Sequence, residues 1–350
     1  MTNEIVQPED HQNTKALQKR SSRSPNKNPV VSYLASLGSK DSRRVQKTAL
    51  DQIAAALSNG EVSESLQFPW EQLDYGTVTA IKAWLDSRYA PATVNRYLCA
   101  VRRVIKEAWR HHLITAEEYQ RATDVQSVSA KRLPTGRELE NEEIRRLIEV
   151  CLDDEANPAL GIRDAAIISL MYSSGLRRAE VVALDFDDLD LKKSELTVIG
   201  KRNKERKAYL AHGAVKAVEK WIEIRGVKPG PLFYSVNKGG NIVRYRNERL
   251  SAQQKKKDIT PKRIVARLSD QTIYHVIDKR ASQAGLVKKT TPHDMRRTFV
   301  SDLLDVGVDL ATVSKMAGHE DTNTTKRYDR RSSRVMQEAA EKLDIPYPSE

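Results

Sequence analysis

Apolar residues recur at helical spacing from Val30 to about Thr123. Ile81, Trp84 and Leu85 share a face in one segment, and Val94, Leu98, Val101 and Ile105 follow at i, i+4, i+7 and i+11 in the next. That is the period of a helix burying one stripe. Gly60, Pro91 and the pair Thr115-x-x-Glu118 fall at plausible helix ends, where a left-handed turn, a preset φ and a capping box are each useful. The pattern predicts a helical bundle over residues 29–127. Ahead of it, residues 12–28 carry five basic side chains and no acidic one. Such a stretch buries too little apolar surface to offset ordering, so residues 1–28 are expected to be a disordered basic arm, either touching nucleic acid or simply solvated.

Periodicity stops at Asp124, and Pro134 and Gly136 follow. We expect a linker over 128–136, with the boundary near residue 132. Helical spacing resumes at Ile144, Leu147, Ile148 and Cys151, and again from Ala165 to Tyr172. In "SELTVIGKRNKERKAYLA" two strand-like runs flank a polar turn, which predicts a β-hairpin with Lys201 at its tip. "PLFYS", from Pro231, is a third strand candidate. Residues 137–331 thus read as a helix-rich α+β domain with a small antiparallel sheet, giving a mainly α protein overall. Residues 238–263 read as a loop with nine basic residues against two acidic ones. It is either a solvated run or a backbone clamp. Val335, Met336, Ala339, Ala340 and Leu343 predict a short helix within 332–350.

At 350 residues the chain suits two domains, and 39% hydrophobic with 30% charged residues is ordinary for a globular protein. Cys99 and Cys151 stand singly, so neither a disulfide framework nor a thiolate metal site is expected. No apolar run approaches membrane-spanning length and no signal-peptide core opens the chain, so a cytoplasmic protein is expected. The net charge of +12 favours a polyanionic partner, nucleic acid first, with a merely basic soluble protein as the plain alternative. Within 91–110, Asn95, Arg102, Lys106 and Arg110 flank the apolar stripe, with Arg96 and Arg103 beside them. They form a ridge suited to a duplex groove or an ordinary charged face.

Four segments carry candidate chemistry. "SSGLRRAEV" sets Glu180 three positions after Arg177, "VIGKRNKER" holds Lys201, "TPHDMRRTF" sets His293 and Arg296 at i, i+3, and "AGHED" supplies His319, nine residues before Tyr328. Singly, an ion pair, a surface lysine, a packed histidine and a surface tyrosine explain each as well. Together they suit phosphoryl transfer, which is nearly all positioning and charge stabilisation. Arginine's planar fork binds phosphate oxygens in pairs and stays charged. A phenol of pKa near ~10 leaves more readily than an alkoxide, so a phosphotyrosine bond is reversible.

The ordered set G-L-R-x-x-E, hairpin lysine, H-x-x-R, G-H and tyrosine resembles the tyrosine recombinases, the phage integrases and Xer-type resolvases, from about Val30 to Arg331. The resemblance implies an N-terminal core-binding helical domain and a C-terminal catalytic domain. It implies that Arg177, Arg296 and His319 hold the scissile phosphate, with Glu180 orienting Arg177. Lys201 would protonate the leaving 5′ oxygen, His293 would assist proton transfer, and Tyr328 would be the nucleophile forming a 3′-phosphotyrosyl link on the way to a Holliday junction. Implied partners are double-stranded DNA bearing an inverted-repeat core site and further copies of the chain, a tetramer joined through 332–350. No cofactor or metal is implied, and the setting would be a prokaryotic nucleoid or mobile element. Three departures stand out: "GKRNK" lacks a glycine after the lysine, Arg297 stands where some relatives have histidine, and the stretch 238–263 is longer than in compact Xer-type members. A type IB topoisomerase-like enzyme, a non-catalytic DNA-binding protein of this shape, and a metal nuclease using His293, Asp294, His319 and Glu320 remain alternatives.

Overall fold

The computed structural model describes residues 27–129, 136–200, 204–247, 260, 262–319, 325 and 340, and the chain divides into two compact units, Met1–Leu133 and Pro134–Glu350. The first contains α1 (Pro29–Ala35), α2 (Lys40–Leu57), α3 (Tyr75–Asp86), α4 (Pro91–Arg110) and α5 (Ala116–Thr123). The expected punctuation is in place: Gly60 turns with φ of +88° after α2, Pro91 opens α4, and Thr115 and Glu118 close a capping box on α5. On α3, Val78, Ile81 and Leu85 make the fully buried face, while Trp84 is partly buried. On α4, eight residues from Val94 to Ala108 are buried, and each large aliphatic side chain among them contributes about 1.5–3 kcal/mol through burial.

Loss of helical periodicity after Asp124 marks the end of a helix, not of packed structure. Val125 is buried. The Asn95 amide makes paired hydrogen bonds with the Val128 backbone, donating from Nδ2 to the carbonyl at 2.9 Å and accepting from the N–H at 2.8 Å. Arg102 donates to the Val125 carbonyl and, at 3.3 Å, to Ser127 Oγ. The chain after α5 is therefore fastened back onto α4 through Val128.

The second unit contains α6 (Asn141–Leu152), α7 (Pro158–Ser174), α8 (Arg178–Ala183), β1 (Leu189–Asp190), β2 (Glu195–Ile199), β3 (Glu205–Tyr209), α9 (His212–Arg225), β4 (Ser235–Val236), β5 (Ile242–Val243), β6 (Tyr245–Asn247), β7 (Arg263–Val265), α10 (Asp270–Gln283), α11 (Pro292–Asp305) and α12 (Leu310–Ala317). Helix α7 is apolar on nearly every face and runs through the core, as a helix packed all round must. Two charges ride with it: Asp164 accepts from Arg163 at 2.6 Å and from Arg280 at 2.7 Å, and Arg280 also reaches Asp154 at 2.8 Å.

Strands β1, β2 and β3 form an antiparallel sheet in which Val198 faces Arg206 and Ile199 faces Glu205. The expected hairpin is thus formed, and its Lys201 lies outside the described residues. "PLFYS" behaves differently from expectation. Pro231 and Tyr234 make single bridges to Asp185 and Arg267, and regular pairing starts only at Ser235. The segment expected to be a loop begins with β5 and joins β6 and β7 in a ribbon. All six residues of that ribbon are exposed, so no alternation of apolar and polar positions announced it.

Candidate active site

Helix α7 ends at Gly175, whose φ of +59° is left-handed and whose missing side chain leaves room for Phe299, since a Cβ there would lie 2.3 Å from that ring. The sharp stop delivers Arg177 to the N-terminus of α8. Arg177 is therefore the N-cap of the helix and does not ride its face beside Glu180, where the three-residue spacing alone would put both. Glu180 folds back, accepting from the Arg177 backbone N–H at 2.9 Å and from its guanidinium Nη1 at 2.8 Å. Nη2 of the same guanidinium donates to the Gly318 carbonyl at 3.1 Å.

Helix α11 brings His293 and Arg296. Thr291 and Asp294 form its capping box, and Asp294 Oδ1 also accepts from the Arg137 backbone at 2.9 Å. Arg296 is buried and donates to the Gly175 carbonyl at 2.6 Å, so the turn that places Arg177 also holds Arg296. Helix α12 packs on α11 through Phe299, Val300, Leu304, Val313 and Ala317, and ends at the left-handed Gly318. His319 follows, its N–H bonded to the Ser314 carbonyl at 3.0 Å and its Nδ1 to Thr325 Oγ1 at 2.7 Å. Three segments distant in sequence thus present Arg177, His293, Arg296 and His319 together, with Glu180 behind Arg177. Lys201, Tyr328 and Glu320 lie outside the described residues, as do most of 1–28 and 332–350.

The electrostatics report the same convergence. His319 is pushed down to about 3 by burial first, then by the charges of Arg296 and Arg177, by His293 and by Arg206. His293 falls below its ordinary value for the same leading reasons, burial and then the charge of Arg296. Burial raises Glu180, but the Arg177 N–H and the Arg206 charge outweigh it, and its carboxyl sits below the ordinary range. At neutral pH both imidazoles are uncharged, and the cationic character comes from guanidiniums. Asp294 is spent on its own helix cap and on Arg137, and among the described residues no cluster of three or more histidines, cysteines or carboxylates could hold a metal.

Two residues here escaped sequence reading. Arg206, on β3, donates to Glu180 Oε2 at 3.0 Å, and Thr325 orients the His319 ring. A long basic residue in a strand already rich in charge carries no local signal, and a lone threonine carries none. In the first unit, exposed Arg96, Arg103 and Arg110 follow one another at seven-residue intervals on α4, a single stripe at about 100° per residue. Lys106 is half-buried next to it. Asn95 and Arg102, grouped with them from sequence, are engaged with residues 125–128 as described above. Arg110 also pairs with Glu107 at 2.8 Å.

Residues 137–334 match the phage integrase family. The chain is 32% identical over 265 residues to the tyrosine recombinase XerC of Vibrio parahaemolyticus, covering 74% of each protein. It is 30% identical over 265 residues to XerC of Vibrio vulnificus, covering 74% of this chain and 72% of that one. Among solved structures it resembles the Tn1549 transposon integrase in complex with transposon right end DNA, with TM-score 0.62 and 15% identity over 91% of this chain and 100% of that one. It also resembles the XerH site-specific recombinase in a post-cleavage complex with a palindromic difH substrate, with TM-score 0.59 and 18% identity over 94% and 92%. At such identities the structural likeness is one of fold.

Proposed function

The chain belongs to the phage integrase family and is a tyrosine recombinase, and from that premise we propose how its residues share the cleavage and rejoining of DNA at a specific site. Arg177 and Arg296 bind the non-bridging oxygens of the scissile phosphate, with His319 as a neutral third donor. The Tyr328 hydroxyl attacks phosphorus and gives up its proton, for which His293, uncharged at neutral pH, is a suitable acceptor. As the bond from phosphorus to the 5′ oxygen breaks, Lys201 protonates that oxygen, leaving a 3′-phosphotyrosyl link. Attack by a 5′ hydroxyl of the partner duplex reverses the step and passes through a Holliday junction. Charge is handled by fixed cations, and bond energy is kept in the ester.

The observation carrying this reading is the convergence of Arg177 and Arg296 with His293 and His319, tied through the Gly175 and Gly318 carbonyls. DNA held along the Arg96, Arg103 and Arg110 stripe, an inverted-repeat core site, a tetramer coupled through residues 332–350 and association with the nucleoid belong to the same proposal. The test is covalent capture. Sequencing DNA ends attached to the protein from total plasmid or chromosomal DNA should yield one recurrent site. A nicked duplex bearing it should then give a denaturation-resistant adduct in EDTA, absent with Tyr328→Phe. An adduct that persists in that variant removes Tyr328 as nucleophile, and strand cleavage abolished by EDTA favours a metal nuclease. Relaxation of a single duplex with no strand exchange between two sites favours the topoisomerase-like alternative.

A further inference from the structure

We infer that Arg206 is a positioning residue for strand cleavage, locking together the three segments that hold Arg177, His319 and the hairpin of Lys201. This rests on the recombinase reading above. Arg206 lies on β3, directly across from Val198 on β2, and little of its side chain is exposed. Its guanidinium spans two partners. Nη2 donates to Glu180 Oε2 at 3.0 Å, the oxygen that also accepts from the Arg177 backbone, and Nε points to the Met316 carbonyl at 3.5 Å, in the last turn of α12.

Two further observations place its neighbours, a tight approach at Gly318 and an ordinary contact at Gly200. A Cβ on Gly318 would lie 2.8 Å from Arg206 Nε and 3.1 Å from its Cζ, so the turn leading into His319 leaves the guanidinium just enough room. On the hairpin side, Gly200 follows β2, and a Cβ there would stand 3.9 Å from Arg206 Nη1 and 3.7 Å from Glu180 Oε1. Glu180 thus faces two guanidiniums, Arg177 and Arg206, in a nearly buried setting. One carboxylate between two arginines leaves a net positive charge. Without Arg206, Glu180 would neutralise Arg177 alone and draw it away from a phosphate. With Arg206, Arg177 keeps its excess charge and its place. Lysine reproduces the charge alone, because its point ammonium lacks the planar fork that spans carboxylate and carbonyl at once.

The test uses full-length protein and the nicked duplex above, with adduct formation timed at saturating DNA, affinity measured separately by gel shift, and thermal unfolding followed for each variant. The wild-type and Tyr328→Phe proteins establish the recombinase reading first. If the wild type forms no adduct, that reading falls and this inference with it. Given a wild-type adduct, Arg206→Ala is expected to slow its formation by about 10- to 100-fold, with affinity changed by less than about threefold. Arg206→Lys is expected to recover part of the rate, and it serves as the decisive variant if the alanine protein does not fold. A saturating rate within about twofold of wild type for Arg206→Ala overturns the proposal, as does weaker DNA affinity at an unchanged saturating rate, which would make Arg206 a plain DNA contact. Should only Arg206→Lys fold, an unchanged saturating rate for it overturns the proposal equally.

Discussion

Single side chains in this protein do work that their types alone leave open. Arg296 is an arginine in a helix, yet burial and the Gly175 carbonyl give its fork a fixed direction. Arg296→Lys, which keeps the charge, is expected to cut adduct formation by about 100-fold or more, since a lone ammonium replaces a preorganised pair of donors. A rate within a few-fold of wild type, timed at saturating DNA, would make the residue a packing element. His319 offers a pH test. Its folded value near 3 lies below the ordinary 6.5, so the unfolded chain binds the extra proton between those limits. Its contribution to stability is therefore complete above about 6.5 and is lost as pH falls through that window. Melting temperature should drop from pH 7.5 to 5.5, and His319→Gln should shrink the drop. An equal drop in both proteins refutes the linkage.

At the scale of elements, the structure sorts the polar residues of α4 into an exposed set and a hydrogen-bonded one. The exposed stripe of Arg96, Arg103 and Arg110 suits phosphates, whereas Asn95 and Arg102 hold residues 125–128. Replacing Arg96 and Arg103 by glutamine should weaken DNA binding and reduce the slope of log affinity against log salt by roughly one for each lost phosphate contact. Asn95→Ala should leave that slope alone and cost about 1–3 kcal/mol of unfolding free energy, because two backbone groups of Val128 lose their partners. The reverse assignment of effects, read by filter binding and urea unfolding, would return Asn95 to the DNA-facing set. In the second unit, α10 is fastened to α7 by Asp164, Arg163 and Arg280. Asp164→Ala removes the carboxylate shared by two buried guanidiniums, leaving Arg280 with Asp154 and Gln283 and Arg163 with the Tyr234 carbonyl, and should destabilise by about 3 kcal/mol. A change below about 1 kcal/mol by denaturant unfolding would mean that the arginines find other partners.

Across the whole molecule, the chain carries a net charge of +12 and divides into two compact units, Met1–Leu133 and Pro134–Glu350. Truncation after Arg331 is expected to preserve DNA binding while abolishing the tetramer on DNA, measured by light scattering of the complex. A tetramer that survives truncation removes residues 332–350 from assembly. Much of this organisation was legible because it is local. Helix periodicity, the caps at Pro91 and Thr115, the hairpin and the i, i+3 pairing of His293 with Arg296 each depend on neighbours within a turn or two. The exposed ribbon of β6 and β7 was not legible, since a strand pair covered on neither face leaves no alternation to read.

The order of chemistry-bearing residues, their types and the elements presenting them were determined by the sequence itself, because turns, caps and amphipathic stripes answer to nearby side chains. Only the tertiary structure decided that Arg177 caps α8 instead of riding it, that Arg206 and Thr325 reach Glu180 and His319, and that Asn95 bonds to Val128. Each of those outcomes depends on groups far apart along the chain, such as Arg206 with Glu180 and Asn95 with Val128. Such pairings are settled by which buried polar groups find partners when the core closes, and no local pattern records that choice.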